Sequence, residues 1–501
     1  MDVPTAVLLV TVALILLTYL SLRTRFPHLP GPGLRAYLPN GQVLRVLQDN
    51  RLLAGTVLRL SAQYGDVFQL WLGPSEFVVT SVPDDVVHIF TKTQVFVRPR
   101  AMRAMFDAVV PGSLFTLSKP HHAQARAQLR ASFNHTYLKG FHHSMRRAVD
   151  DMCEDLAVAA TVHPGNNQSD LINITQYLSA AAFQIITNCA FGVDMPRQQR
   201  LAFASYANDL IGGMLLELMG YPFRQILSVF GSRKALIASK AKVDAVCAKI
   251  IRDRQQETPH HKASRASDLL DAILALDNHD APALVSEAVT FFVAGGHTTY
   301  ETLAWCIFEV SRAPRVEAAI RAELARVLGE RDVHHAISFD DCEKLTYLKQ
   351  VWKETLRLHP PGAFVMRTAA CDVTLRGSGT RIPKGSNVIS LFLGAQCSAK
   401  FWKQPETFRP ERWDSATGEA RRAPPGAYTP FSLGAQNCAG QFLADYEAVL
   451  TLASLYRRFR VQLACEPAEV RSCTGWVEGA RTAVDGSDFQ YGLPVRVTSV
   501  A

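Results

Sequence analysis

Pro430-Phe431-Ser432-Leu433-Gly434-Ala435-Gln436-Asn437-Cys438-Ala439-Gly440 runs directly into a helical stretch that begins at Gln441. Most of the ten cysteines, such as Cys189, Cys247 and Cys306, sit in apolar, helix-like surroundings and read as small core residues. Cys438 has a different neighbourhood. A sulfur that binds a metal must be held as thiolate, which calls for nearby hydrogen-bond donors and a helix N-terminus. A polar loop leading into a helix offers both. Gly434 permits a tight turn, and Gly440 lets the backbone pass close to a flat ring. Phe431 is placed to cover the sulfur and keep water away. The spacing favours thiolate ligation of a haem iron, where the sulfur donates electron density that favours O–O cleavage, over a merely buried loop cysteine.

The rest of the chain narrows the class. It has 501 residues, 48% of them hydrophobic, with no Gly/Ser-rich or Pro-rich linker in the middle and no repeat. One large folded body after a short N-terminal segment is the simplest organisation. The formal charge is +8, but Lys and Arg are scattered, which argues against nucleic acid. A mild basic excess fits an anionic membrane surface or an acidic protein partner, and equally an ordinary soluble surface. The cysteines form no CxxC pair and are too sparse for a disulfide scaffold.

Residues 1–25 read as an N-terminal membrane anchor. Ala6 to Leu22 carries no charge and is almost wholly apolar, the short end of what spans a bilayer. Arg23 and Arg25 follow, which leaves the body on the cytoplasmic side. A cleaved signal peptide would want a basic start and small residues before the cut. This chain has Asp2 at the start and Tyr19 and Ser21 at the end. Residues 26–33, Phe-Pro-His-Leu-Pro-Gly-Pro-Gly, make a stiff non-helical hinge, because proline cannot continue a helix. Residues 34–501 form the main domain. Leu210 to Phe223 is apolar apart from Glu217, and either dips into a membrane or packs against the body.

Helical periodicity is clear near 52–64, 83–91, 119–132, 140–160, 171–190, 199–217, 233–256, 283–312, 314–328, 347–358 and 441–459. Strand-like runs lie near 67–72, 76–80, 371–375, 386–391 and 489–498. The predicted fold class is mainly α with small peripheral β-sheets. Ala283 to Arg312 is apolar around its girth, so a buried central helix is expected. Glu287, His297, Glu301 and Glu309 argue against its being a membrane span. Gly295 and Gly296 lie inside it, each costing roughly 1 kcal/mol relative to alanine. They imply either a close approach of something to the backbone or packing against a neighbouring helix.

The cysteine loop resembles the haem-binding signature of the cytochrome P-450 superfamily, Phe-x-x-Gly-x-x-x-Cys-x-Gly. Three more motifs follow the family order, and the resemblance covers essentially the whole chain. Glu354 and Arg357, in Lys353-Glu-Thr-Leu-Arg-Leu-His-Pro-Pro361, resemble the family's Glu-x-x-Arg pair. Phe408-Arg-Pro-Glu-Arg-Trp413 supplies Arg412 as the third member of that structural network. Ala294-Gly-Gly-His-Thr-Thr299 resembles the oxygen-binding groove, with Thr298 on the family's threonine. The residue before it is usually acidic and is His297 here. His297, alone or with Glu301 one turn on, is expected to replace that acid as a proton relay; the alternative is that it satisfies a neighbouring carbonyl. His122 and Arg126, four apart on one helix face, resemble a pair that donates to a haem propionate, and Arg367 matches another propionate-binding position. Gln436 departs from the usual Arg or His; its amide can donate but carries no charge.

The resemblance implies the cytochrome P-450 fold with the central helix over the haem, haem b bound through Cys438, and a monooxygenase. It also implies the microsomal arrangement: a single-pass endoplasmic reticulum protein taking electrons from NADPH through a separate cytochrome P-450 reductase. No GxGxxG-type nucleotide loop is present. By family order the substrate pocket draws on Met105, Phe106, Phe115, Phe291, Ala294, Ala363, Phe364 and Val365. That apolar set implies a lipophilic substrate such as a terpenoid, steroid, fatty acyl chain or polyketide. Two other readings share these residues: a haem-thiolate isomerase or dehydratase that rearranges a peroxide, against which Thr298 argues, and a non-catalytic lipid-binding relative.

Overall fold

The computed structural model describes residues 24–32, 53–72, 75–118, 120–162, 171–220, 232–265, 267–276, 280–329, 332, 335–473, 479–482 and 492–500. The stretch Ala6–Leu22, read above as an anchor, lies outside these residues, as do Gly33 and the end of the apolar stretch at 221–223. Among the described residues no helix is long and apolar enough to cross a membrane.

The chain opens with α1 (Leu53–Tyr64), β1 (Val67–Leu72), β2 (Ser75–Thr80), α2 (Pro83–Thr91), β3 (Phe96–Val97) and α3 (Arg100–Asp107). A helical body follows: α4 (His121–Leu129), α5 (His135–Val162), a short β4 (Ile172–Asn173), α6 (Ile174–Phe191), α7 (Arg197–Gly220), α8 (Ser232–Gln255), α9 (Pro259–Ser264) and α10 (Leu269–Leu274). Next come α11 (Ala281–Ser311), α12 (Pro314–Leu328), α13 (Phe339–Lys344) and α14 (Thr346–Leu358). The chain closes with β5 (Val365–Ala369), β6 (Val373–Thr374), β7 (Arg381–Ile382), β8 (Asn387–Ser390), α15 (Phe392–Gln396), α16 (Gln441–Arg458), β9 (Phe459–Leu463), β10 (Val470–Cys473), β11 (Gly479–Thr482) and β12 (Pro494–Ser499). The sheets are small and lie apart from one another. The largest has the order β1-β2-β8-β5-β3, and a three-stranded sheet runs β4-β12-β9. Within the first, β2 and β8 are parallel, with Val78 opposite Val388.

The proline-rich joint is non-helical, and it is docked on the sheet. Gln69 N donates to Pro30 O (2.8 Å) and Gln69 Nε2 to Leu29 O (3.1 Å), while Phe26 is buried. The joint thus covers backbone groups of β1, an edge strand that would otherwise be left unpaired. The expected helix to residue 459 ends earlier. Phe459 starts β9, because it pairs with Ser499 across the sheet.

Helix α11 is the centre of the body. Asp280 caps it by accepting from Ala283 N (2.9 Å), Pro282 stands in its first turn, and Pro314 opens the next helix. Its largest neighbour is α6. A Cβ on Gly295 would lie 2.6 Å from Ile186 Cδ1, and one on Gly296 would lie 2.6 Å from Phe183 Cε1. The two glycines therefore serve helix packing, the second of the two explanations open from the sequence. Phe292, Leu303 and Ile307 are fully buried around them, and each such side chain stabilises the fold by about 1.5–3 kcal/mol.

A polar clamp holds the far side. The Glu354 carboxylate, wholly buried, receives five donors. Arg357 binds it bidentately (2.8 and 2.9 Å), Arg412 Nε lies at 3.0 Å, Arg409 N at 3.1 Å and Trp413 Nε1 at 2.9 Å. Gln396, also buried, extends the clamp. It donates to Leu356 O and Arg357 O and accepts from Thr429 N (3.0 Å), one residue before the cysteine loop. Removing one partner of a buried ion network strands the others without counter-charge. Glu354→Ala is expected to cost on the order of 3–5 kcal/mol in urea unfolding. Glu343→Ala, which opens the half-exposed Lys349–Glu343 pair, is expected to cost less than about 1 kcal/mol.

Candidate functional site

Helix α11 is buried along residues 286–310 except at Val293, Ala294, Gly295 and Thr298, which carry accessible surface. A break in burial at the middle of a core helix means that a cavity opens there. A cavity of about 930 Å³ lies between α4, the start of α16 and the cysteine loop, and Leu114, His122, Arg126, Phe291, Gln436 and Cys438 are among its walls.

The cysteine loop is built by local backbone constraints. Ser432 N donates to Thr429 O (2.9 Å), Asn437 N to Gly434 O (3.2 Å) and Cys438 N to Phe431 O (2.9 Å). Gly434 has φ +73°, and a Cβ there would meet Phe90 O at 2.9 Å. Both features exclude other residues. Gly440 has open space around it and caps α16. Cys438 thus stands two residues ahead of a helix N-terminus, where the dipole favours negative charge. It presents accessible surface, yet burial pushes its thiol up against the lowering effects of the Gly440 N–H and Arg126. Surface on a group so enclosed is cavity surface.

Around that cavity the positive charge is unbalanced. Arg367 is 5% exposed; it donates to Met366 O (2.9 Å) and to Gln436 Oε1 (3.1 Å), and its Nε has no partner. Arg98 donates to Leu114 O (3.1 Å) and to Phe115 O. Burial, and in second place a neighbouring arginine, brings both guanidiniums down to about 10. Among the described residues neither forms an ion pair. Gln436 therefore acts here as an acceptor that steers Arg367. Arg126 donates to Asn437 Oδ1 (2.9 Å), tying α4 to the residue before Cys438, and His122 beside it is buried. A flat dianionic iron macrocycle fits this set: a sulfur at one wall, guanidiniums without carboxylates nearby, and apolar surfaces from Leu114 and Phe291.

The oxygen-groove residues divide between two sides of α11. Thr298 Oγ1 donates to Ala294 O (2.8 Å), leaving its lone pairs on the accessible side. His297 is fully buried on another side, with Nε2 2.8 Å from Asn208 Oδ1 on α7. Glu301 Oε1 lies at 3.9 Å from the same nitrogen, beyond hydrogen-bond length. The anticipated His297–Glu301 pair is thus an electrostatic neighbour contact, and Asn208 is the nearer partner.

The apolar residues also sort into clusters. Met105, Phe106, Ala363 and Phe364 share one cluster, which Met214 on α7 joins. Phe106 stacks on Phe115 (4.7 Å, 6°), and Phe291 stacks on Phe133 (5.6 Å). Val365, partly buried, packs beside a separate small cluster of Val86, Phe90 and Phe392 that Leu433 of the cysteine loop also joins.

Sequence reasoning missed Arg98, Asn208 and Met214. Arg98 had a faint signal, a cation directly after an apolar run and before Pro99. Asn208 and Met214 had none, since their meaning depends on where α7 crosses α11.

A family model for cytochrome P450 matches residues 31–475. The chain belongs to the cytochrome P450 family. Among its relatives, cytochrome P450 4d2 of Drosophila melanogaster is 26% identical over 457 residues, covering 86% of this chain and 88% of that protein. Cytochrome P450 4F12 of Homo sapiens is 28% identical, covering 80% and 79%. Pentalenene oxygenase of Streptomyces avermitilis is 27% identical, covering 81% and 86%. The chain is therefore a cytochrome P450 monooxygenase, an oxidoreductase of a haem-iron family with the mainly helical cytochrome P450 fold.

The unbalanced arginines give a prediction with two signs. A buried charge without a partner costs stability, so Arg367→Leu is expected to raise the thermal midpoint of the haem-free protein. Where a haem carboxylate would complete the Arg367 set, the same change would remove a charge-assisted hydrogen bond worth about 1.5–3 kcal/mol from the haem-loaded protein. Haem transfer to apomyoglobin, followed by absorbance, is then expected to be faster than in the unaltered protein.

Proposed function

We propose that this cytochrome P450 oxygenates a lipophilic small molecule (terpenoid, steroid, fatty acyl or polyketide-like), holds haem through Cys438, and takes electrons from NADPH by way of a separate reductase. The observation that carries the reading is the pair of buried guanidiniums, Arg98 and Arg367, lacking carboxylates beside a cavity walled by Cys438. In this reading Arg98, Arg367, His122 and Arg126 would hold the haem propionates. Gln436 and Asn437 orient Arg367 and Arg126. Haem bound there supplies dioxygen activation: one oxygen atom enters a C–H or C=C bond of the substrate, and the other leaves as water with two electrons and two protons.

The side chains control approach and protons. Phe106, Phe115, Phe291 and Phe364 are large and apolar, so they exclude water and select lipophilic shape. Ala294 is small and carries accessible surface, which leaves room for a substrate beside α11. Thr298, its hydroxyl proton committed to Ala294 O, accepts a hydrogen bond at Oγ1 from water in the groove. Because an amide oxygen only accepts, Asn208 fixes the proton of His297 on Nε2 and makes Nδ1 the basic nitrogen. His297 stands in this reading in place of an acid, and its protons would reach the groove from the α7 side of α11 rather than from the accessible face. The anchor reading of residues 1–25 supports an endoplasmic reticulum location with the catalytic domain facing the cytoplasm.

The test is product formation by the haem-loaded protein with a microsomal reductase, NADPH and isotopically labelled O₂, offered a panel of terpenes, steroids and fatty acids. The expected product carries one labelled oxygen atom. In His297→Ala, product per NADPH is expected to fall roughly 10²-fold, with the remaining electrons lost as peroxide. Turnover of a lipid hydroperoxide without NADPH or O₂, and none with them, would contradict the proposal.

A further inference from the structure

Glu287 stands on α11 ahead of the oxygen groove and takes no part in the chemistry described so far. It is wholly buried. Its Oε2 accepts from Leu114 N (2.7 Å), and its Oε1 meets no hydrogen-bond partner. Burial pushes the carboxyl up to about 7, with only the Leu114 N–H pulling the other way. A single N–H does not offset the desolvation of a carboxylate, so packing alone gives no reason for an acid here.

Its position gives one. Glu287, Phe291, Ala294 and Thr298 follow at i, i+4, i+7 and i+11 and so share one face of the helix. The connection from residue 108 to residue 118 is turns and bends without helix or strand, and it rests on that face. A Cβ on Gly112 would lie 3.3 Å from Ala283 Cβ. Leu114 is held from two directions: its N–H by Glu287, and its carbonyl by Arg98 Nη1 at 3.1 Å. The next residue, Phe115, gives its carbonyl to Arg98 and its ring to the parallel stack with Phe106. One carboxylate therefore sets both an aromatic wall of the pocket and the Arg98 side chain.

We propose that Glu287 is a positioning residue for substrate specificity: through Leu114 it fixes Phe115 and Arg98, and so sets how tightly the pocket grips a long apolar chain. This rests on the reading of the cavity as the haem and substrate site. The test uses two iron-binding probes on the haem-loaded protein, imidazole and n-octylimidazole, titrated by the shift of the Soret band. Imidazole reads access to the iron, and the octyl chain adds the apolar wall. In Glu287→Leu the octylimidazole affinity is expected to fall roughly tenfold, equivalent to about 1.4 kcal/mol, with imidazole affinity unchanged. Glu287→Gln keeps an acceptor for Leu114 N and is expected to keep both affinities. Hydrogen exchange across residues 108–118 is expected to quicken in Glu287→Leu and not in Glu287→Gln. Should Glu287→Leu not retain haem, Glu287→Asp, one methylene short of Leu114, carries the same test with a smaller loss expected. Unchanged octylimidazole binding, or an equal loss of both probes, overturns the positioning role. Failure of either probe to shift the spectrum of the unaltered protein overturns the haem reading beneath it.

Discussion

Two guanidiniums lie inside this protein with carbonyls and an amide for company and, among the described residues, no carboxylate paired to either. A charge in that position is costly, because carbonyl dipoles replace water only in part and arginine does not give up its proton near neutral pH. The fold keeps Arg98 and Arg367 there all the same, at the edge of a cavity whose wall includes a cysteine sulfur. The economical account is that an anion completes the set. The sulfur's place ahead of the N-terminus of α16 and the loop geometry that Gly434 permits open on that space, and Phe291 brings α11 to its wall.

The surrounding scaffold explains why that space stays open. Helix α11 crosses the body as a stiff core element because Gly295 and Gly296 let α6 approach to side-chain contact. Behind it the Glu354 clamp joins α14 to the segment that leads into the cysteine loop, and Gln396 carries the connection to Thr429. Here the Glu354 carboxylate and the Gln396 amide are bonded at every polar atom. The pocket side is built of smaller pieces: a loop held at Leu114 in the cavity wall, the Phe106–Phe115 stack, and, away from the cavity, α7 touching α11 through Asn208 and the buried His297. Fully bonded polar groups on the thiolate side and smaller pieces on the pocket side suit an enzyme that must fix its iron and still admit a bulky apolar molecule.

The parts legible in the sequence were those set by local rules. Period and apolar content marked α11, α12 and α16 to within a few residues, and turn chemistry marked the cysteine loop. The Glu354–Arg357 spacing placed both on one helix face, and the Arg412 partner followed from the family pattern. What stayed hidden depended on how elements cross. β5 was missed because a short run beside two prolines reads as loop until β8 pairs with it. Asn208 looks like any surface amide until α7 lies over His297. Glu287 appeared only as an interruption in an apolar helix, because its partner is a backbone N–H, which no sequence pattern displays. His297 and Gln436 stood out as departures, yet their partners, Asn208 and Arg367, needed the fold.

The central claim is that the Cys438 sulfur ligates iron, and the reduced carbon monoxide difference spectrum tests it most directly. The unaltered, haem-loaded protein should show the strongly red-shifted Soret band that arises when a thiolate lies opposite carbon monoxide, and Cys438→Ser should lose it. A spectrum without that band in the unaltered protein, or one that survives in Cys438→Ser, would contradict the account.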